Sequence, residues 1–231
     1  MGLDQARLLG AMNKMALKSF ERYQEMIEKH LDDEAESISH IFDSMEVENE
    51  RGYTYIPEEY SDAVDSLSEE MNEIAVTFTN NFRGFFLVQI ISFVETELKK
   101  ICTDHNRFLY TDETYLDIKK DNDLEKCKIY LTKVANVNFN ALNTEWQFII
   151  AVSKVRKKIV HHSRVFSQNE INKLKVLTKD RYIFTKKDKA SEEIEIRITK
   201  KMNKKIIEVV TSFFTKLLDK ELSIPHGVKA P

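Results

Sequence analysis

The chain has 231 residues, 42% of them hydrophobic and 32% charged, with a formal net charge of −3. That composition can fill a core, which excludes a disordered polymer, and the near-neutral balance excludes a bulk nucleic-acid coat protein while leaving room for a local basic site. Five glycines and three prolines are few for this length, so long uninterrupted elements are expected, and the high charge content makes them helices.

In chain order, Leu8, Met12, Met15, Tyr23, Ile27, Leu31, Ile38, Phe42 and Met45 recur at helical intervals. They predict a very long amphipathic helix, bent near Asp32-Asp33. Gly52 and Pro57 punctuate the segment that ends it. A second long helix is predicted from about Glu58 towards Cys102. Its stripe is Tyr60, Val64, Leu67, Met71, Ile74, Phe78, Phe82 and Phe85, then Ile90, Ile91, Val94, Leu98 and Ile101, with a kink expected at Asn80, Asn81 and Gly84. The two should fold back as an antiparallel pair, each about 65 Å long if unbroken. Residues 1–57 therefore read as a long helix and connector suited to a stalk or dimerisation arm, or to a coiled-coil spacer. Residues 58–222 read as the main helical domain and 223–231 as a frayed tail.

The most apolar window, Gly84 to Val94, spans about ten residues where a bilayer needs about 20. It reads as a buried core helix of a soluble chain without membrane contact. Cys102 and Cys127 lack CxxC spacing and read as ordinary thiols of a reduced, cytoplasmic protein.

Further on, Thr103 to Asp123 is polar and loop-like. Leu124 to Val137 reads as a short helix with Leu124, Cys127, Leu131 and Val134 inward. Asn143-Thr144-Glu145 offers a cap and first-turn carboxylate for a helix carrying Trp146, Ile149, Ile150, Val152, Val155 and Ile159. Ser167-Gln168-Asn169-Glu170 looks like the start of a brief helix reaching Leu177. Two alternating segments, Arg181 to Thr185 and Glu193 to Thr199, predict a small β-hairpin, joined by a lysine-rich loop with Asp188 and Ser191. A final helix carries Ile206, Ile207, Val210, Phe213, Phe214, Leu217 and Leu218. The expected class is all-α: a long antiparallel helical hairpin plus a helical bundle, with a small β-hairpin before the C-terminal helix.

The most informative segment runs from Val155 to Arg164 and contains Arg156, Lys157, Lys158, His161 and His162. Arginine offers a permanently charged fork of donors that matches phosphate oxygens, and histidine changes charge near neutral pH. Chance supplies roughly 0.7 arginine–histidine pairs at such spacing in a chain with nine arginines and six histidines, so context has to carry the motif. On an ideal helix, residues five apart point about 140° away from each other. Arg156 and His161 therefore meet on one ligand only if the helix ends at His161 or a second subunit supplies the missing group. The bland alternative makes Lys157, Lys158, His161 and His162 ordinary cations in the last turn, where they suit the helix dipole. Neither the adjacent histidines nor the two cysteines have metal-ligand spacing, and there is no phosphate-binding glycine loop, so no metal or cofactor is expected.

Arg156-Lys157-Lys158-Ile159-Val160-His161 resembles the RxxxxH signature of the HEPN superfamily, small all-α domains many of which are ribonucleases. The match includes the aliphatic pair before the histidine and its place at the end of an amphipathic helix. Phe85 to Cys102, with Phe93-Val94-Glu95-Thr96-Glu97-Leu98, resembles the long family helix that often bears an acidic residue facing the site. The likeness covers roughly Glu58 to Leu222. Lys157 departs from the small polar residue common after the arginine, and the doubled histidine leaves the register open between His161 and His162.

The resemblance implies metal-independent endoribonuclease activity in a homodimer, with two motifs meeting across the interface and a role as toxin or antiviral defence effector, alongside a protein inhibitor or defence partner. His161 would act as general acid or base, and Arg156 would hold the scissile phosphate. Glu95 would orient Arg156 or the histidine, or else simply pair with Lys99 one turn on. Lys154, Lys157, Lys158 and Arg164 would attract the RNA backbone without reading sequence. The competing reading is a non-catalytic helical module that binds RNA, nucleotide or a protein partner.

Overall fold

A computed structural model describes residues 3–109, 112–161, 164–187 and 193–222; His162, Asp188, Ser191 and the tail lie outside the described residues. The class is all-α with small sheets, as the composition and periodicity imply. Helix α1 (Leu3–Met45) runs unbroken for 43 residues, through Asp32-Asp33. A two-residue hairpin, β1 (Val47–Glu48) and β2 (Thr54–Tyr55), turns the chain, with Gly52 in the left-handed region at φ 79°.

Helix α2 (Ser61–Asn72) then leads into α3 (Thr79–Leu109) through a π-helical segment, Glu73–Phe78. The irregularity thus falls about one turn before the expected kink, and the Ile74 carbonyl accepts both the Thr79 backbone N–H and, at 2.7 Å, the Thr79 hydroxyl. The helix also continues past Cys102 into the region read as loop. By length and composition, Glu58–Leu109 is long and apolar enough to cross a bilayer, beyond the ten-residue window seen in sequence. A core helix meets the same criterion, and Leu87, Ile90, Ile91, Val94 and Leu98 are fully buried here.

Helix α4 (Asp123–Lys133) starts from Asn122, whose side chain accepts the Leu124 backbone N–H at 2.9 Å. Central helix α5 (Asn143–Val160) packs against α3 and against α8 (Lys200–Lys216). Asn143 is its first residue rather than its cap, and Glu145 is buried. Hydrogen bonds from Lys216 at 2.6 Å and Ser212 at 2.9 Å hold the Glu145 carboxyl below its usual range although burial opposes the charge. Two short helices follow, α6 (Gln168–Asn172) and α7 (Lys175–Thr178), where the sequence reads as one. Strands β4 (Ile183–Lys187) and β5 (Ile194–Ile198) form the expected hairpin. A third strand, β3 (Val165–Phe166), adds to β5, giving the antiparallel order β3-β5-β4. Ile194, Ile196 and Ile198 face inward, as strict alternation requires.

Ring contacts run through the core from Phe139 and Trp146 to Phe213, Phe214, Phe93 and Phe20, which ties α1 to α3, α5 and α8. The inward face of α1 departs from the stripe read in sequence in its first half and follows it in the second. Leu9, Asn13, Leu17, Gln24 and Glu28 are buried while Leu8, Met12, Met15 and Tyr23 are exposed, whereas Ile38 is buried and Ile27, Leu31, Phe42 and Met45 are half-buried as expected. Phe78 and Phe85 of the second stripe are likewise exposed.

Between α3 and α4, buried His105 stands 3.1 Å from the Tyr130 hydroxyl, and desolvation lowers its pKa to about 4. The folded state therefore resists a proton that the unfolded chain takes near pH 6.5. Stability from this group is complete above about pH 6.5 and is lost as pH falls towards about 4, by on the order of 3 kcal/mol. His105→Phe is expected to flatten the fall in Tm between pH 7 and pH 4.5, followed by circular dichroism. An equally steep fall in the variant would assign the acid sensitivity elsewhere.

Candidate functional site

The α5 segment from Lys154 onward presents two faces. Its outer face holds Lys154, Lys157, Lys158 and His161. With Phe166 of β3, Glu170 and Lys173 at α6, and Leu174, these line an open cleft of about 530 Å³. His161 is the C-terminal cap of α5, at φ −88° and ψ 14°, and its side chain is exposed. The helix therefore ends at His161, as its β-branched approach allows.

Lys158 bridges the cleft floor. It pairs with Glu170 at 3.0 Å and its ammonium lies 5.2 Å from the Phe166 ring centroid. Glu170 is fixed by the capping box at α6. Its carboxylate accepts the Ser167 N–H at 2.9 Å, and that bond followed by the one from Lys158 lowers its pKa. Lys154, Lys157 and Lys173 have no ion pair among the described residues, so the cleft carries an uncompensated positive charge.

Arg156 occupies the other face. Its Nη2 donates to Ser92 Oγ at 3.4 Å and stands 3.7 Å from Glu95 Oε2, both on α3. Its side chain is 30% exposed, and Nε is buried without a hydrogen-bond partner among the described residues. Both contacts exceed the ~2.7–2.9 Å of a tight charge-assisted bond, so donors remain for an oxyanion. Glu95 turns to Arg156, whereas Lys99 pairs with Asp123, so the alternative Glu95–Lys99 pairing is not made. Arg156 does not line the cleft that holds His161. Within one chain the two groups stay apart although α5 ends at His161, so the helix end does not bring them onto one ligand.

Arg164 also leaves the cleft. Its backbone enters the left-handed region at φ 40° as the chain turns from α5 into β3, and its carbonyl accepts the Ile196 N–H at 3.2 Å. Its guanidinium packs on Gly84 of α3, where a Cβ would lie 2.9 Å from Nη2. Burial lowers its pKa, opposed by Glu195. Gly84 thus makes room for an arginine rather than a helix kink.

The structure therefore gathers Lys154, Lys157, Lys158 and His161, sets Arg156 with Glu95 one face away, and turns Arg164 inward. Sequence reading missed Ser92, Phe166, Glu170, Lys173 and Leu174. The three-residue spacing of Ser92 and Glu95 on a helix was the legible signal for the first. Glu170 was visible only as a helix-start residue. Among the described residues no group of three or more His, Cys, Asp or Glu is disposed to hold a metal ion. Comparison with family models, curated proteins and solved structures finds no match to the chain.

Proposed function

We propose that this chain binds RNA along the α5 cleft and, as a dimer, cleaves it without a metal ion in the manner of HEPN-type endoribonucleases. The observation that carries the reading is the exposed His161 at the lip of a cleft whose Lys154, Lys157 and Lys173 lack counter-charges. Such cations attract a phosphodiester backbone without reading bases. In the reaction, His161 takes the proton from a ribose 2′-hydroxyl as that oxygen bonds to phosphorus. The bond from phosphorus to the 5′-oxygen breaks, and the leaving oxygen takes a proton from water, to which the His161 imidazolium afterwards returns its own. The products are a 2′,3′-cyclic phosphate and a 5′-hydroxyl. Arg156 of the second chain, oriented by Glu95 and Ser92, offsets charge on the equatorial oxygens. By the same reading the protein works in the cytoplasm, as a toxin or defence effector.

A non-catalytic RNA-binding module is the second reading, favoured by the divergence of Arg156 and His161 within one chain. Purified protein incubated with RNA in EDTA separates the two. Cleavage is expected in the wild type, and His161→Ala and Arg156→Ala should each lower its rate by about 10²–10⁴ with unchanged circular dichroism. RNA bound but left intact by the wild type selects the module, and loss on His162→Ala alone moves the register by one.

A further inference from the structure

Four lysines fall within the first six residues of α8: Lys200, Lys201, Lys204 and Lys205. With Tyr182 and Glu208 they line a second cavity, of about 500 Å³. Two of the four are neutralised. Lys200 pairs with Asp32 of α1 and Lys205 with Glu208, each at 2.9 Å. Lys201 and Lys204 have no ion pair among the described residues. Neutral groups position the Lys201 ammonium instead: it donates to the Asp180 carbonyl at 3.1 Å and lies 5.0 Å from the Tyr182 ring centroid.

The stability of α8 does not call for this arrangement. Cations oppose the dipole in the first turn of a helix, and like charges four residues apart repel. No acidic residue stands in that turn to offset them. Nor is the backbone the attraction, since the Thr199 hydroxyl already accepts the Met202 N–H at 3.2 Å. Local costs of this kind gather where a ligand compensates them, and the ligand that suits two unpaired ammonium groups is an anion.

The cavity lies one helical turn from the α5 cleft. Leu174 lines the cleft, and its carbonyl accepts the Leu177 N–H at 2.8 Å. The Leu177 carbonyl in turn accepts, at 2.9 Å, the N–H of Tyr182, which lines the cavity. The Tyr182 ring also rests edge-on against Phe148 of α5, with centroids 5.6 Å apart, so Lys201 is anchored on a ring that α5 itself supports. The chain between the two cavities carries exposed Lys175, Lys179 and Arg181 against one carboxylate, Asp180. Arg181 holds a left-handed backbone, φ 55°, where glycine is the unstrained residue.

From these observations we infer that an RNA strand seated in the α5 cleft continues across α7 into the α8 cavity, where Lys201 and Lys204 hold a phosphodiester remote from the scissile one. The substrate is thus an RNA longer than the cleft alone accommodates, gripped by its backbone whatever its bases. A free phosphorylated small molecule would meet the same two lysines but would leave Lys175 and Lys179 unused. The inference rests on the reading of the α5 cleft as an RNA site.

Strand length tests it, by fluorescence anisotropy of the full chain with labelled 2′-O-methyl oligouridylates, which lack the attacking hydroxyl. Strands of about four and about twelve nucleotides, within the usual range of single-strand sites, separate one cavity from two. Wild type should bind the longer strand more tightly by on the order of tenfold. Lys201→Ala combined with Lys204→Ala should remove most of that gain with unchanged circular dichroism. For the longer strand it should also flatten the slope of log affinity against log salt by about 1.4, at about 0.7 per phosphate contact. Lys204→Ala alone relieves repulsion at the helix start and should not lower Tm, so lost binding is not lost folding. Equal wild-type affinity for both lengths would overturn the inference and leave the cavity to a free anion. A double variant that keeps the full gain would overturn it too. Either result leaves the α5 reading standing, whereas a wild type that binds neither strand overturns both.

Discussion

Co-expressed Arg156→Ala and His161→Ala chains are expected to recover cleavage that each variant alone has lost. The reason is geometric. Arg156 contacts Ser92 and Glu95 of α3, and His161 lines the outer cleft of α5, so a site containing both must draw them from different chains. In a heterodimer of the two variants, one composite site carries both substitutions and the other carries neither. With random pairing and twofold symmetry, activity should return to roughly a quarter of wild type. Against single variants reduced by about 10²–10⁴, that is a rise of one to three orders of magnitude. A mixture as inactive as its components would mean that both groups act in one chain or that cleavage needs neither arrangement.

Arg83→Ala should produce the largest loss of stability outside the aromatic core. Glu28 of α1 is buried, with 1% of its side chain exposed, and Arg83 of α3 grips both of its oxygens at 2.8 and 2.7 Å. Arg83 Nη1 also donates to the Ile198 carbonyl at 3.4 Å, so one guanidinium joins α1, α3 and the end of β5. Removing it strands a carboxylate in the interior, which typically costs about 3–5 kcal/mol, a large share of the ~5–15 kcal/mol that holds a domain together. Urea unfolding followed by circular dichroism measures the loss. Replacing both partners by leucine should restore much of it, since an apolar pair of similar volume leaves no buried charge. A single-variant loss below about 1 kcal/mol, the value of an exposed pair, would show that water reaches Glu28.

Features written in neighbouring residues were legible without the fold. The Ser167–Glu170 capping box, the alternation of Ile194, Ile196 and Ile198, and the helical spacing in α5 each depend on contacts within a few residues of chain. That Arg156 and His161 would point about 140° apart on a helix running through both also needed only the helical repeat, but that they stay apart although α5 ends at His161 did not. Other features depend on what lies across a packing surface. No local pattern marks Val165–Phe166 as a third strand, because two residues carry no period and the strand exists only by bonding to β5. Likewise Lys173 and Phe166 join the cleft because β3 and α6 fold back beside α5.

Helix α1 shows most plainly where the division falls. Its length and amphipathic character follow from residue spacing, but it has two apolar rows, and hydrophobicity favours the one with Leu8, Met12 and Met15. The folded chain instead buries Leu9 and Leu17 together with Asn13, Gln24 and Glu28. Glu28 can be buried because Arg83 neutralises it from another helix fifty-five residues away. Residue spacing was enough to establish that this protein is built of long helices and that α5 ends in a basic, histidine-bearing segment, since backbone periodicity is local. Which face of each helix turns inward, and which cations keep a free charge, was decided only by tertiary structure, because burial and ion pairing belong to pairs of surfaces.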